Sequence, residues 1–296
     1  MSRICGVNVA AVTPRRDGWE PDLAATFDLI DYLCGCGVHG IALLGSTGEF
    51  LHFNPEERMR LVALSVKRSR VPVIAGIAHS NLEGALELGR SAADAGAAAL
   101  LLMPPYFFRY GQDDLKEFYL AFAREINGSA PLFLYNVPFF TNPICCDTAI
   151  ELLSTGLFAG IKDSSGDWDS FERLLEFRDA RAFTLLAGND TIFARARAAG
   201  ADGVVSGVAC AVPELILALD RARGSHELLE RRLREFLEWI ESFPTPIAIR
   251  EAVALRGLRT GPPASPLAHE GRRRLEEFRA WFRGWLPEVR KECARV

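Results

Sequence analysis

Eight short apolar runs, each closed by turn residues and followed by a stretch of helical period, constrain the fold of this chain more than any other feature. They cover residues 7–10, 40–44, 72–75, 98–102, 132–135, 159–161, 184–187 and 203–205. Each is continuous rather than alternating, as expected of a strand buried on both faces. Helix-period segments lie between them at 22–34, 55–69, 82–95, 113–126, 168–177 and 191–199. Asn54-Pro55-Glu56-Glu57 is a helix start, with Asn as the cap and Pro at the first helical position.

Buried strands that alternate with helices require a parallel sheet, because parallel neighbours need a crossover connection. Eight such units in about 220 residues predict a (β/α)8 TIM barrel, rather than an open doubly wound sheet. No Gly-rich dinucleotide fingerprint follows the first strand, which also weighs against the open sheet. The barrel is expected over residues 1–225, and residues 226–296 read as a C-terminal helical extension. Its two or three amphipathic helices are broken at Pro244, Pro246 and Gly261-Pro262-Pro263. The extension is expected to be an appendage with no chemistry of its own.

At 296 residues and 49% hydrophobic, the chain can bury such a core without a second independent domain. Its formal net charge of -4 offers no basic field for phosphate backbones, so nucleic acid is not an expected partner. No apolar run is long enough for a membrane span and no basic segment leads into a signal core, so a cytoplasmic protein with a small-molecule substrate is expected. Seven scattered cysteines suit reduced thiols. Cys34 and Cys36 have no second pair at ligand spacing, and the five histidines form no helical ligand motif, so no metal is expected.

In a barrel the active site lies at the C-terminal ends of the strands. Three ends carry reactive groups: Gly45-Ser46-Thr47-Gly48-Glu49, Tyr135-Asn136-Val137-Pro138 and Gly160-Ile161-Lys162-Asp163. Lys162 stands out because the chain has four lysines, and Lys67, Lys116 and Lys291 fall on polar helix surfaces or in the tail. Arg stays charged, whereas a desolvated Lys can lose its proton near neutral pH and add to a ketone. An exposed loop lysine paired with Asp163 would account for the same residues. Tyr135 ends the neighbouring strand, where its hydroxyl could move protons for Lys162 or serve only in packing. The Ser46 and Thr47 hydroxyls and the backbone N–H groups near Gly48 can bind a carboxylate without adding a cation beside Lys162.

Together these three sets resemble the dihydrodipicolinate synthase/N-acetylneuraminate lyase family of Schiff-base barrels, and the resemblance covers nearly the whole chain. It implies that residues 45–49 are the pyruvate-carboxylate loop, Tyr135 the proton-transfer tyrosine and Lys162 the Schiff-base lysine. Lys162, Tyr135 and Thr47 are then the expected catalytic residues, with Ser46, Thr47, Gly48, Val205 and Phe140 at the substrate. Gly188-Asn189-Asp190 and Val205-Ser206-Gly207 fall where members border the bound keto acid. The resemblance also implies no cofactor and a homotetramer built as a dimer of dimers.

The departures from the family's synthases fall on the side of the second substrate. Pro105-Tyr106-Phe107-Phe108-Arg109 stands where synthases carry a Tyr-Tyr pair whose second member reaches the partner's site, and Phe107 cannot relay a proton. Phe140 stands where they place an Arg for the carboxylate of aspartate semialdehyde. Phe50, Pro55 and Arg58 replace polar or His residues of their lysine feedback pocket. The expected function is a pyruvate-dependent aldolase or lyase acting on a 2-keto-3-deoxy sugar acid or a 4-hydroxy-2-oxo acid, residues 45–50 being similar to hydroxyoxoglutarate-type aldolases. The alternatives are a dihydrodipicolinate synthase condensing pyruvate with aspartate semialdehyde, and a catalytically silent keto-acid-binding barrel.

Overall fold

The computed structural model describes residues 4–17, 19–222 and 226–296. Strands β1 (Gly6–Ala10), β2 (Gly40–Leu43), β3 (Val73–Gly76), β4 (Ala99–Leu102), β5 (Leu132–Asn136), β6 (Gly160–Asp163), β7 (Thr184–Ala187) and β8 (Gly203–Ser206) pair in sequence order. All pairs are parallel, and β8 returns to β1 to close the barrel. Every expected run is therefore a strand. The main boundary difference is at β6, which continues through Lys162 and Asp163 because both still pair with β5 and β7. Polar side chains end the apolar run without ending the backbone ladder.

The outer ring is α1 (Leu23–Cys36), α2 (Pro55–Arg68), α3 (Leu82–Asp94), α4 (Gln112–Ile126), α5 (Cys146–Ser154), α6 (Trp168–Ala180), α7 (Phe193–Ala198), α8 (Val208–Ala211) and α9 (Pro213–Ala222). Side-chain caps fix where several of these begin. Asp22 accepts a hydrogen bond from Ala25 N, and Asn54 and Glu57 form a reciprocal capping box, each cap stabilising its helix by about 0.5–2 kcal/mol. The pair Cys145 and Cys146 marks the start of α5, with Cys145 in the cap position.

The tail forms α10 (Glu227–Glu241), α11 (Ile247–Leu255) and α12 (His269–Cys293), separated at the expected Pro and Gly breaks. The expected boundary at residue 225 lies outside the described residues. In α12, Pro287 is accommodated without ending the helix. Phe236 of α10 stacks on Trp281 and Trp285 of α12, and Phe278 and Phe282 complete this aromatic cluster. The remaining apolar faces of the tail pack on the barrel's outer helices, α11 on α8 and both α10 and α12 on α9. This docking brings the tail to the rim of the barrel mouth.

Candidate active site

The ladder between β5 and β6 sets Tyr135 opposite Lys162 and Asn136 opposite Asp163. Because successive side chains on a strand face opposite ways, the first pair enters the barrel mouth and the second turns away from it. Lys162 Nζ lies 4.0 Å from the centroid of the Tyr135 ring. Both residues are buried, at 4% and 2% exposure. Asp163 does not pair with Lys162; it accepts hydrogen bonds from Asn136 Nδ2 at 2.7 Å and Ser165 N at 3.0 Å. An exposed, Asp163-paired lysine is therefore ruled out. Asn136 Oδ1 also accepts from Ile144 N at 3.0 Å, which makes Asn136 a staple for the loop after β5.

Strand β2 stops where Leu44 enters the left-handed region, at φ 57°, and Glu49 adopts the same conformation at φ 53°. Such backbone costs of order 1–3 kcal/mol per residue and persists where surrounding contacts hold it. Here Thr13 Oγ1 donates to Gly48 O at 2.8 Å, and the Glu49 carboxylate lies between Arg15 (3.2 Å) and Arg250 (2.8 Å), all of them buried. The resulting turn aims Ser46 across the mouth, with its Oγ 3.1 Å from the Tyr135 hydroxyl.

The hydroxyl on Tyr135 is therefore that of Ser46. Thr47 instead lies on the cleft wall against Gly207. Gly48, expected at the substrate, sits behind the loop, where an added Cβ would meet Leu44 N at 2.8 Å, and its side does not line the cleft. Val205 and Phe140, expected at the substrate, line the cleft.

Burial alone would push the Tyr135 phenol up, but the charge of Lys162 and the hydrogen bond with Ser46 outweigh it and hold the phenol below its ordinary value. A phenol held in this way can exchange a proton with the lysine amine or with a substrate oxygen more readily than a free tyrosine. Asp190 shows the opposite balance. Burial raises its carboxyl to about 6, against hydrogen bonds from Ser206 and the Val208 N–H. Its Oδ1 is buried and has no hydrogen-bond partner among the described residues.

The cleft holds about 590 Å³. Lys162, Tyr135, Ser46, Thr47 and Val205 surround its inner end. Phe139 and Phe140 also line it, as do Leu237, Ile240, Phe243 and Ile249 of the tail. The tail is thus no bystander, contrary to expectation. Amphipathic helices must bury their apolar faces, and those of α10 and α11 that are not spent on the barrel's outer helices close the mouth.

Asn142 ties the neighbouring loops together, donating to Pro105 O at 2.7 Å and Phe108 O at 2.8 Å. Phe107 projects from this loop at φ 80° with 88% of its surface exposed. Arg58 is buried, donates to Ala78 O at 2.8 Å and lies over the Phe50 ring at 5.1 Å. These contacts engage Arg58 with the protein's own backbone and with Phe50.

Arg15 and Arg250 escaped the sequence reading, as did Asp190 as an individual residue. An arginine inside the apolar segment of residues 247–255 was a usable signal, because a buried cation demands an anion. Nothing local pairs Arg15 with Glu49.

Comparison with known proteins agrees with this geometry. The model of the dihydrodipicolinate synthetase family matches residues 3–280. The 4-hydroxy-tetrahydrodipicolinate synthase of Methanothrix thermoacetophila is 32% identical over 286 residues, covering 92% of this chain and 95% of that protein. The enzyme of the same name from Staphylococcus carnosus is 32% identical, covering 96% and 99%. Among solved structures, dihydrodipicolinate synthase from Aquifex aeolicus superimposes with a TM-score of 0.85 at 27% identity, covering 95% of this chain and 98% of that one. YagE of E. coli K12, solved in complex with pyruvate, gives 0.86 at 25% identity, covering 96% and 99%. The chain belongs to the dihydrodipicolinate synthetase family and is an enzyme of its class I aldolase and lyase type.

Proposed function

We propose that this enzyme binds pyruvate as a Schiff base on Lys162 and makes or breaks a carbon–carbon bond at pyruvate C3. The amine of Lys162 adds to C2, and loss of water leaves an iminium that acts as an electron sink. Loss of a C3 proton then gives an enamine whose C3 attacks the carbonyl carbon of an aldehyde. Tyr135, with Ser46 behind it, carries the protons, and the loop of Ser46 and Thr47 holds the carboxylate. The observation that carries this reading is the buried Lys162–Tyr135 pair at 4.0 Å with Ser46 on the phenol at 3.1 Å. No cofactor is needed for these steps.

The relatives' name, 4-hydroxy-tetrahydrodipicolinate synthase, supports the synthase alternative, condensation with aspartate semialdehyde, above a keto-deoxy sugar acid or a 4-hydroxy-2-oxo acid. One observation favours a different partner: Phe140, lining the cleft, offers no cation to a second carboxylate. The exposed Phe107 and Phe108 support assembly with further copies, as a homotetramer built from two dimers, in a cytoplasmic setting where pyruvate is available.

The test is borohydride reduction in the presence of pyruvate, which should add one pyruvyl-derived mass to a peptide containing Lys162. An unlabelled enzyme would return the chain to the class of silent keto-acid-binding barrels. Assay of pyruvate condensation with aspartate semialdehyde, beside pyruvate release from the two classes of keto acid, then ranks the partners.

A further inference from the structure

The outer half of the cleft has a composition of its own. Phe139 and Phe140, 72% and 56% exposed, line the cleft together with Leu237, Ile240, Phe243 and Ile249 of the tail and the polar Asn189, Thr191 and Thr245. The charged residues lining the cleft, among those described, are Lys162 at the inner end and the carboxylates Asp190 and Glu241. An anionic aldehyde would therefore lose its hydration to the apolar residues, would meet two carboxylates, and would find as the cation lining this cleft the same lysine that must form the Schiff base, Arg109 lining instead the adjoining pocket that Phe139 and Phe140 also border. A volume of about 590 Å³ also exceeds the need of a three-carbon acid and lies within the roughly 300–1,000 Å³ of clefts that take drug-sized ligands.

We propose that the second substrate is an uncharged aldehyde with a sizeable apolar body, either a medium-chain aliphatic or an aromatic one, whose body lies between Phe140 and the α10–α11 wall. This rests on the pyruvate Schiff base at Lys162 proposed above. In the synthetic direction the enamine π pair forms the new bond from C3 to the aldehyde carbon, and the C=N bond reforms. The aldehyde oxygen takes a proton relayed through Tyr135, and water then releases the product and regenerates the amine. The product is a 4-hydroxy-2-oxo acid carrying the apolar group at C4. No electrons enter or leave, and the reverse reaction is the matching cleavage. The aromatic and aliphatic walls select by desolvation: one methylene in a hydrophobic pocket changes kcat/KM by about 10- to 200-fold where the fit is close.

The test measures aldol formation by the full-length enzyme from pyruvate and a panel of butanal, hexanal, benzaldehyde, glyceraldehyde, glyoxylate and aspartate semialdehyde, with borohydride trapping of pyruvate run beside it. The expected result is a rise in kcat/KM from butanal to hexanal, with benzaldehyde or hexanal at least about 10-fold above glyoxylate and aspartate semialdehyde. Phe140→Arg should reverse that order by a similar factor, toward the carboxylate-bearing aldehydes. Because Phe140 is half exposed, its replacement is compatible with folding, and trapping in the variant verifies the Lys162 site. Efficient trapping together with a preference for aspartate semialdehyde or glyoxylate would overturn the apolar partner and leave the Schiff base standing. Failure to trap pyruvate at all would overturn both.

Discussion

Arg250 of α11 donates to the carboxylate of Glu49 at 2.8 Å, joining the tail to the substrate loop across 201 positions of sequence. Arg250 also donates to Thr13 O at 2.9 Å, so the same guanidinium supports both the left-handed turn at Glu49 and the segment that holds Gly48. Two arginines share this one carboxylate. Glu49→Gln leaves two buried cations facing each other and should cost about 3–5 kcal/mol, as breaking a buried pair does. Arg250→Met leaves Glu49 paired with Arg15 but orphans the carbonyls of Thr13, Thr260, Gly261 and Pro262, at about 1–3 kcal/mol for each left unsatisfied, so it should cost at least as much. Denaturant melts of the two variants decide the matter; an Arg250→Met protein clearly more stable than Glu49→Gln would mean that these carbonyls do not depend on the guanidinium.

Lys162→Ala should abolish labelling by pyruvate and borohydride. Lys116 and Lys291 are held in surface ion pairs with carboxylates, and hydrogen bonds to Asp113 and Glu151 raise the Lys116 amine above its ordinary value. Mass analysis of tryptic peptides checks this, and persistent labelling in the variant would move the covalent site elsewhere.

Tyr135→Phe should keep pyruvate trapping measurable while lowering turnover by about 10² to 10⁴-fold, the range for losing a positioned acid–base group. Ser46→Ala should have a smaller effect in the same direction, because Ser46 acts through the phenol. Steady-state kinetics of both variants, with near-normal turnover in Tyr135→Phe as the contrary outcome, tests the proton path.

Gly188 presses on the reactive lysine. A Cβ there would fall 2.8 Å from Lys162 Cε and 2.1 Å from Ser164 Oγ. Gly188→Ala should therefore fold, because side chains at the cleft can shift, yet slow Schiff-base formation at least about 10-fold by displacing the amine from its attack geometry. The rate of borohydride-trapped product at fixed pyruvate reads this directly. An unchanged rate would mean the lysine has room to spare.

Asp190 carries a pH signature. Its carboxyl is raised from 3.8 to about 6 in the folded protein, mainly by burial. Between those values the native state binds more protons than the unfolded chain, so this group lowers stability as pH rises from about 4 to about 6. Asp190→Asn should remove that slope, becoming more stable relative to wild type at neutral pH than at acidic pH. Urea midpoints for both proteins across this range are the measurement, and parallel profiles would mean that Asp190 ionises freely.

The chain's local order determined the barrel. Continuous apolar runs with helices between them leave a closed parallel sheet as the economical way to bury both faces of every strand, and strand ends then mark Lys162 and Tyr135 without reference to anything distant. The expected Pro and Gly breaks of the tail follow in the same way, since they act on their own backbone.

Tertiary structure decided which loop hydroxyl meets Tyr135, because Ser46 and Thr47 are adjacent and chemically alike, and only the left-handed turn at Leu44 selects between them. It also decided that the tail closes the cleft and that Glu49 is held between Arg15 and Arg250. Such contacts join residues far apart in sequence and leave no periodic trace in it. A buried charge announces that it needs a partner, but only the folded chain shows which one it has found.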